Sequence, residues 1–169
     1  MVGSMIPSSR FLAAKMLNHI PINDAKVVVE LGPGTGVFTE KILEKISEHT
    51  QLIVIELNDD FFNTLNEKLN HPNLHLKHGS ANQLGMYLKE IGVEKADLII
   101  SSLPLANIPS ALRKEIIETA KNCLTDTGKF VQFQYSLQSL KTLKRNFRSV
   151  KVDFTAFNFP PAFVYTCTI

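Results

Sequence analysis

The stretch VVVELGPGTGVFTEKIL, residues 27–43, restricts the fold more than any other part of the chain. An apolar strand runs to Glu30, a glycine-rich turn follows, and a helical pattern begins near Val37. Glycines at 32, 34 and 36 let backbone approach a ligand with no Cβ in the way, and they supply dihedrals that other residues avoid. The first turn of the helix then offers unpaired amides to that ligand. The spacing is G-x-G-x-G, not the G-x-G-x-x-G of dinucleotide folds, because position 37 is Val. An acid inside such a motif repels a pyrophosphate, yet it accepts a hydrogen bond from a cationic amino-acid ligand. Glu30 therefore favours S-adenosylmethionine over a nicotinamide dinucleotide.

The rest of the chain repeats this alternation. Residues 26–31, 51–57, 74–78, 96–101 and 128–136 read as strands, rich in β-branched and aromatic residues and flanked by turn formers. Residues 37–48, 59–70, 82–91 and 110–123 show helical spacing; in the last, Leu112, Ile116 and Ala120 share a face and Ser110 is placed to cap the start. Continuous apolar strands joined by helical crossovers predict a mostly parallel sheet with helices on both faces, an α/β Rossmann-like fold. A helix at 137–147 and two further β-like runs, VKVDFTAFN and PAFVYTCTI, predict a terminal antiparallel hairpin and seven strands in all. At 169 residues the length suits one core. Residues 26–169 are read as a single domain, and 1–25 as an extension that is helical from about 8 to 20.

A second acid stands where a ribose reader is expected: Glu56, followed by Leu57, ends the second strand twenty positions after Gly36. The third strand runs into HGSANQL, whose Ser80, Ala81 and Asn82 are placed to line an adenine edge. Together with Glu30, Gly32, Gly34, Thr35, Gly36 and Ser101 they form the expected cofactor set.

Strand–E-L-G-x-G-x-G–helix, the acidic end of strand two and the terminal hairpin resemble the class I S-adenosylmethionine-dependent methyltransferases over nearly the whole chain. That family often has Asp where Ser80 stands here. At the end of strand four, SSLPLANIP resembles the acceptor turn of rRNA adenine dimethyltransferases, which reads Asn-Leu-Pro-Tyr. In that family the Asn amide and the Pro carbonyl receive the target amine while the Tyr stacks on the flipped base. This chain keeps Leu103-Pro104 but has Ser102 for the amide and Leu105 for the ring. Stacking on an aromatic is worth about 1–3 kcal/mol per base, so the substitution removes a large part of the hold on a nucleobase.

Four stretches resemble the bacterial phospholipid N-methyltransferases more closely: PSSRFLAAKM near the start, SSLPL at 101–105, FVQFQYS at 130–136 and FNFPPAFVY at 157–165. In the third, Gln134, Ser136 and the Leu137 that follows depart from that family's pattern, and in the fourth Tyr165 stands for a Trp. The resemblance implies methylation of a phosphatidylethanolamine-like amine. Ser102, Leu103 and Pro104 would form the acceptor turn, and Tyr135 would orient the amine or meet a methylated ammonium through its ring face. The alternatives are an RNA adenine N-methyltransferase and a binding module without catalysis.

Charge bears on the partner. Residues 1–60 carry five Lys/Arg against eight Asp/Glu (−3), residues 61–110 four against four, and residues 111–169 nine against four (+5). A basic C-terminal third suits an anionic surface, either lipid headgroups or an RNA backbone. Lys141, Lys144, Arg145 and Arg148 form a stripe at i, i+3, i+4 and i+7. At the other end, SSRFLAAKMLNHI puts Leu12, Met16 and Ile20 on one face, which suits an interfacial helix or a lid over the pocket. No run is long enough to span a bilayer and no signal peptide is evident, so the expected setting is cytoplasmic with peripheral membrane association. Cys123 and Cys167 have no CxxC spacing and no His cluster nearby, so free buried thiols are expected and no metal is implied.

Overall fold

Every residue of Val27–Leu31 (β1) is buried, so the strand has no solvent face and must be covered on both sides. The computed structural model, which describes Ala13, Leu17, residues 20–155 and residues 162–169, shows how. After β1 come α1 (Val37–Leu43), β2 (Gln51–Glu56), α2 (Asp59–Lys68) and β3 (Leu74–His78). A 3-10 turn (Ala81–Gln83) leads into α3 (Leu84–Glu90), followed by β4 (Ala96–Ser101), α4 (Ser110–Asn122) and β5 (Leu124–Gln134). The described chain closes with α5 (Leu140–Asn146), β6 (Ser149–Thr155) and β7 (Ala162–Thr168).

The strands form one sheet in the order β3-β2-β1-β4-β5-β7-β6. The first five are parallel; β7 runs antiparallel to both β5 and β6. This is the α/β, Rossmann-like, seven-stranded architecture expected, with its antiparallel end. On one face Val29, Leu31, Ile53, Ile99 and Phe130 pack with Leu88, Ile117 and Leu143 from α3, α4 and α5. On the other, Val28, Leu52, Val54 and Val131 pack with Phe38 and Ile42 of α1 and with Ala13 and Leu17. Strand order reverses between β1 and β4, and the carboxyl edge at such a switch point is where open α/β sheets bind ligands.

Local departures from expectation have physical causes. Helix α1 stops at Leu43, five residues early, although Ile46 still donates to the Ile42 carbonyl. The 82–91 helix opens as a 3-10 turn, because Ser80 and Gln83 form a capping box one residue earlier. Pro109 is the N-cap of α4, and Ser110 makes no capping bond. Strand β2 ends at Glu56, leaving Leu57 outside it. Strand β5 begins at Leu124, with its register against β4 broken between Ala96 and Leu98; the TDTG segment reads as a turn because it bulges there. Ala13 and Leu17 are helical and buried; otherwise the helix expected at 8–20, like the Pro160-Pro161 junction, lies outside the described residues.

Candidate active site

The glycine-rich loop curls because three of its five residues take positive φ: Gly32 (70°), Gly34 (56°) and Gly36 (82°). The loop is also packed where it curls. A Cβ on Gly32 would lie 2.6 Å from Leu103 Cδ2, and one on Gly36 would lie 2.5 Å from Leu65 Cδ2. Gly34 in the middle donates its amide to Glu56 Oε2 (3.1 Å), while Glu56 Oε1 accepts from Asn58 N (2.8 Å). The two acids of the cofactor set thus sit on either side of one loop, Glu30 beneath it on β1 and Glu56 at the end of β2.

Glu30 is fully buried and accepts a hydrogen bond from Thr39 Oγ1 at 2.6 Å. Burial pushes its carboxyl up to about 7, opposed by the Thr39 bond and assisted by the nearby Glu56 charge. Its other oxygen, Oε1, has no partner.

That orphan has company. The other buried side-chain atoms without partners among the described residues are Asn82 Oδ1, Ser102 Oγ, Gln132 Oε1 and Ser139 Oγ. All five lie near or beyond the carboxyl ends of β1, β3, β4 and β5. An unpaired buried polar atom costs about 1–3 kcal/mol, so their gathering at the end of the sheet that carries the glycine-rich loop fits a polar ligand there.

The remaining expected residues fall along the same carboxyl edge of the sheet. Leu57 is 65% exposed beside Glu56, and Ala81 is buried. Ser80 is held in the capping box with Gln83. Asn82 donates to Glu115 Oε2 on α4 (3.0 Å), which leaves Oδ1 as its open atom. Ser101 is buried, its Oγ 3.4 Å from the Leu103 amide, and the Ser102 amide donates to the Leu31 carbonyl. Pro104 is exposed, and its carbonyl accepts from Asn107 N. Tyr135 is 47% exposed and meets the Phe133 ring edge-on at 5.0 Å. Leu105 is 0% exposed, sunk in the core with Ile116 and Ile117, and its carbonyl accepts from Arg113 Nη1.

The sequence profile of the family described as ribosomal RNA adenine dimethylase matches residues 2–159. The chain belongs to that family. It is an S-adenosylmethionine-dependent methyltransferase, and its relatives agree. It is 33% identical to ornithine lipid N-methyltransferase of Singulisphaera acidiphila, across 98% of this chain and 88% of that one. It is 28% identical to ribosomal RNA small subunit methyltransferase A of Mycoplasma capricolum, across 68% of this chain but only 41% of that enzyme. The N-methyltransferase NodS of Bradyrhizobium japonicum, solved in complex with S-adenosyl-L-homocysteine, shares the fold with a TM-score of 0.75 at 14% identity, over 95% of this chain and 87% of NodS.

Two residues of this methyltransferase were not picked out as site residues by sequence reasoning. Gln132 and Gln134, on β5, are both buried, and both donate Nε2 to the Leu103 carbonyl, at 3.0 and 2.8 Å. The signal was present: FVQFQ places two amides two residues apart, hence on one face, in an otherwise apolar strand. The cysteines are free and buried, with burial pushing Cys167 up to about 12 and Cys123 upward, so neither offers a thiolate near neutral pH. Among the described residues no cluster of three metal-ligating side chains occurs, and no helix is long and apolar enough to cross a membrane.

Proposed function

We propose that this methyltransferase transfers a methyl group to the amine of a lipid headgroup at an anionic membrane surface. The observation that carries the reading is the rim of the site. Tyr135 (47%), Leu137 (49%) and Phe154 (58%) are exposed. The pairing Phe154–Phe163–Gln134 sets Phe154 level with the carboxyl end of β5, where Tyr135 and Leu137 follow. Lys141, Lys144, Arg145 and Arg148 on and just after α5 are exposed too, with no ion-pair partner among the described residues. Apolar side chains beside unpaired bases match the chemistry of a headgroup region. The relative that acts on ornithine lipid supports the same reading. The buried Leu105 leaves no stacking platform at the position where a base reader would need one.

In this reading Glu30, Gly32, Gly34, Thr35, Gly36, Glu56, Leu57, Ser80, Ala81, Asn82 and Ser101 hold S-adenosylmethionine, which supplies a methyl group on a sulfonium centre. Glu30 Oε1 and the open lone pairs of Glu56 serve its cationic and hydroxyl groups. The acceptor amine sits over Ser102, Leu103 and Pro104 with Tyr135 at its flank. The Leu103 and Pro104 carbonyls already accept hydrogen bonds, whereas the buried Ser102 Oγ has no partner and is available to accept from an amine N–H. A primary amine with a pKa near about 10 is mostly protonated at neutral pH. It sheds that proton to water before transfer, and the site contributes alignment and exclusion of solvent.

The deciding experiment supplies methyl-labelled S-adenosylmethionine with total lipid and total RNA side by side, then with vesicles containing phosphatidylethanolamine or ornithine lipid. Label in lipid is expected, and the vesicle arms separate the two amine sources. Label in RNA alone overturns the proposal in favour of adenine methylation. Ser102→Ala and Tyr135→Phe should each lower turnover, by about tenfold for the lost Ser102 hydrogen bond, with cofactor affinity unchanged.

A further inference from the structure

Leu103 is held from two directions. Its carbonyl accepts from Gln132 Nε2, Gln134 Nε2 and the amide of Leu105 (2.8 Å). Its side chain lies against the α-carbon of Gly32, so closely that a methyl group there would sit 2.6 Å from Cδ2. One residue therefore joins the acceptor turn after β4, the floor of the site on β5 and the cofactor loop after β1.

The orientation of the Gln132 amide follows from its surroundings. Nε2 donates to two carbonyls, Leu103 O at 3.0 Å and Phe133 O at 2.8 Å, and a flipped amide would set oxygen against both. Each glutamine loses its hydration on burial, and Gln132 leaves Oε1 unpaired as well. An apolar residue at either position would avoid that cost. The fold thus accepts two buried amides on adjacent inward positions of one strand to grip a single carbonyl.

We infer that Gln132 and Gln134 are positioning residues: acting through Leu103, they fix the acceptor turn against the cofactor loop and so set the line of methyl transfer. The inference builds on the proposed amine chemistry, in which alignment is the main contribution of the site. A displacement of about 1 Å in such a site costs on the order of 10²-fold in rate. With three donors on it, the Leu103 carbonyl has no lone pair left for substrate, so the amides act on the turn and not on the amine.

The test uses Gln132→Met, Gln134→Met and the double variant, since Met keeps the length of Gln and cannot donate. At saturating cofactor and acceptor, each single variant should lower kcat by about tenfold or more with KM for the acceptor little changed. The double variant should be hardly worse than the more damaging single, because both amides serve one carbonyl. Calorimetry with S-adenosylhomocysteine should give wild-type affinity in all three, which also verifies folding. A role confined to stability would lower Tm and leave kcat at its wild-type value.

A second measurement needs no acceptor. S-adenosylhomocysteine should slow amide hydrogen exchange at both the glycine loop and residues 102–107 in the wild type, and at the loop alone in the double variant. Equal protection of the turn in both proteins, or wild-type kcat in the variants, overturns the inference. Failure of the lipid reading looks different: the wild type labels RNA instead, and the kcat and exchange effects of the variants persist.

Discussion

Thr39 Oγ1 lies 2.6 Å from Glu30 Oε2, so a hydroxyl on α1 reaches under the glycine loop to hold a carboxyl that burial alone would keep neutral. The carboxyl titrates at about 7, far above an ordinary glutamate, and this has two pH consequences of opposite sign. Because the folded protein binds this proton more tightly than the unfolded chain, Glu30 weakens folding progressively as pH rises from about 4.5 to about 7, and no further above that. A cation bound beside Glu30 requires the ionised form, so cofactor affinity should rise over pH 6 to 8. Calorimetry at pH 6 in buffers of different ionisation enthalpy should show about one proton released on binding. Glu30→Gln should abolish that release and weaken binding at pH 8. Thr39→Val, which removes the bond favouring the ionised form, should move the midpoint upward.

Gly36 and Gly92 make a matched pair. Both have positive φ, 82° and 79°, but a Cβ on Gly36 would lie 2.5 Å from Leu65 Cδ2, whereas one on Gly92 meets nothing within 4 Å. Gly92→Ala should cost only the left-handed backbone penalty, about 1–2 kcal/mol. Gly36→Ala should cost more, because the fully buried Leu65 has to move. It should also weaken S-adenosylhomocysteine binding by tenfold or more, while Gly92→Ala leaves it unchanged. Thermal unfolding and calorimetry on the two variants check both statements.

Leu105→Tyr restores the aromatic of the rRNA enzymes in sequence but not in space. The side chain at 105 enters the core among Ile116 and Ile117, so the larger ring overpacks it, at about 1–3 kcal/mol. The expected outcome is a lower Tm with no gain in adenosine or RNA affinity. Tighter RNA binding by this variant would show that the turn can present residue 105 to a base.

Phe154 and Leu137 should anchor the protein to bilayers. Vesicles rich in anionic lipid should sediment the wild type at low salt and release it as salt rises. Phe154→Glu or Leu137→Glu should each weaken binding by about tenfold or more, consistent with about 1.5–3 kcal/mol for a fully buried Phe or Leu. Turnover on a short-chain, water-soluble amine should be unaffected by Phe154→Glu.

Those residues also mark how far the sequence could be read. The sheet, its parallel order and the glycine loop were legible because each rests on local pattern: apolar runs as strands, glycines where φ must be positive, an acid at a strand end. The direction of Leu105 was not, since Leu is equally at home as a shelf and as core, and only the packing of α4 decides. Gln132 and Gln134 were visible as polar interruptions of β5, but their shared partner lies about thirty residues earlier in the chain. The expected cap at Ser110 failed for a related reason. Pro109 already holds extended backbone at the N-cap, so the serine became the first helical residue.

The place of β7 bears on how the molecule assembles. It follows β6 in the chain yet sits inside it, hydrogen-bonded to β5 on one edge and β6 on the other. As the polypeptide leaves the ribosome, β6 therefore has no strand to pair with until residues 162–168 emerge. The edge of the sheet bearing Phe154 is thus closed by the latest of its seven described strands to be made. A nascent chain halted short of Ala162 would leave β5 as a raw, apolar border, open to adhesion with any neighbouring strand.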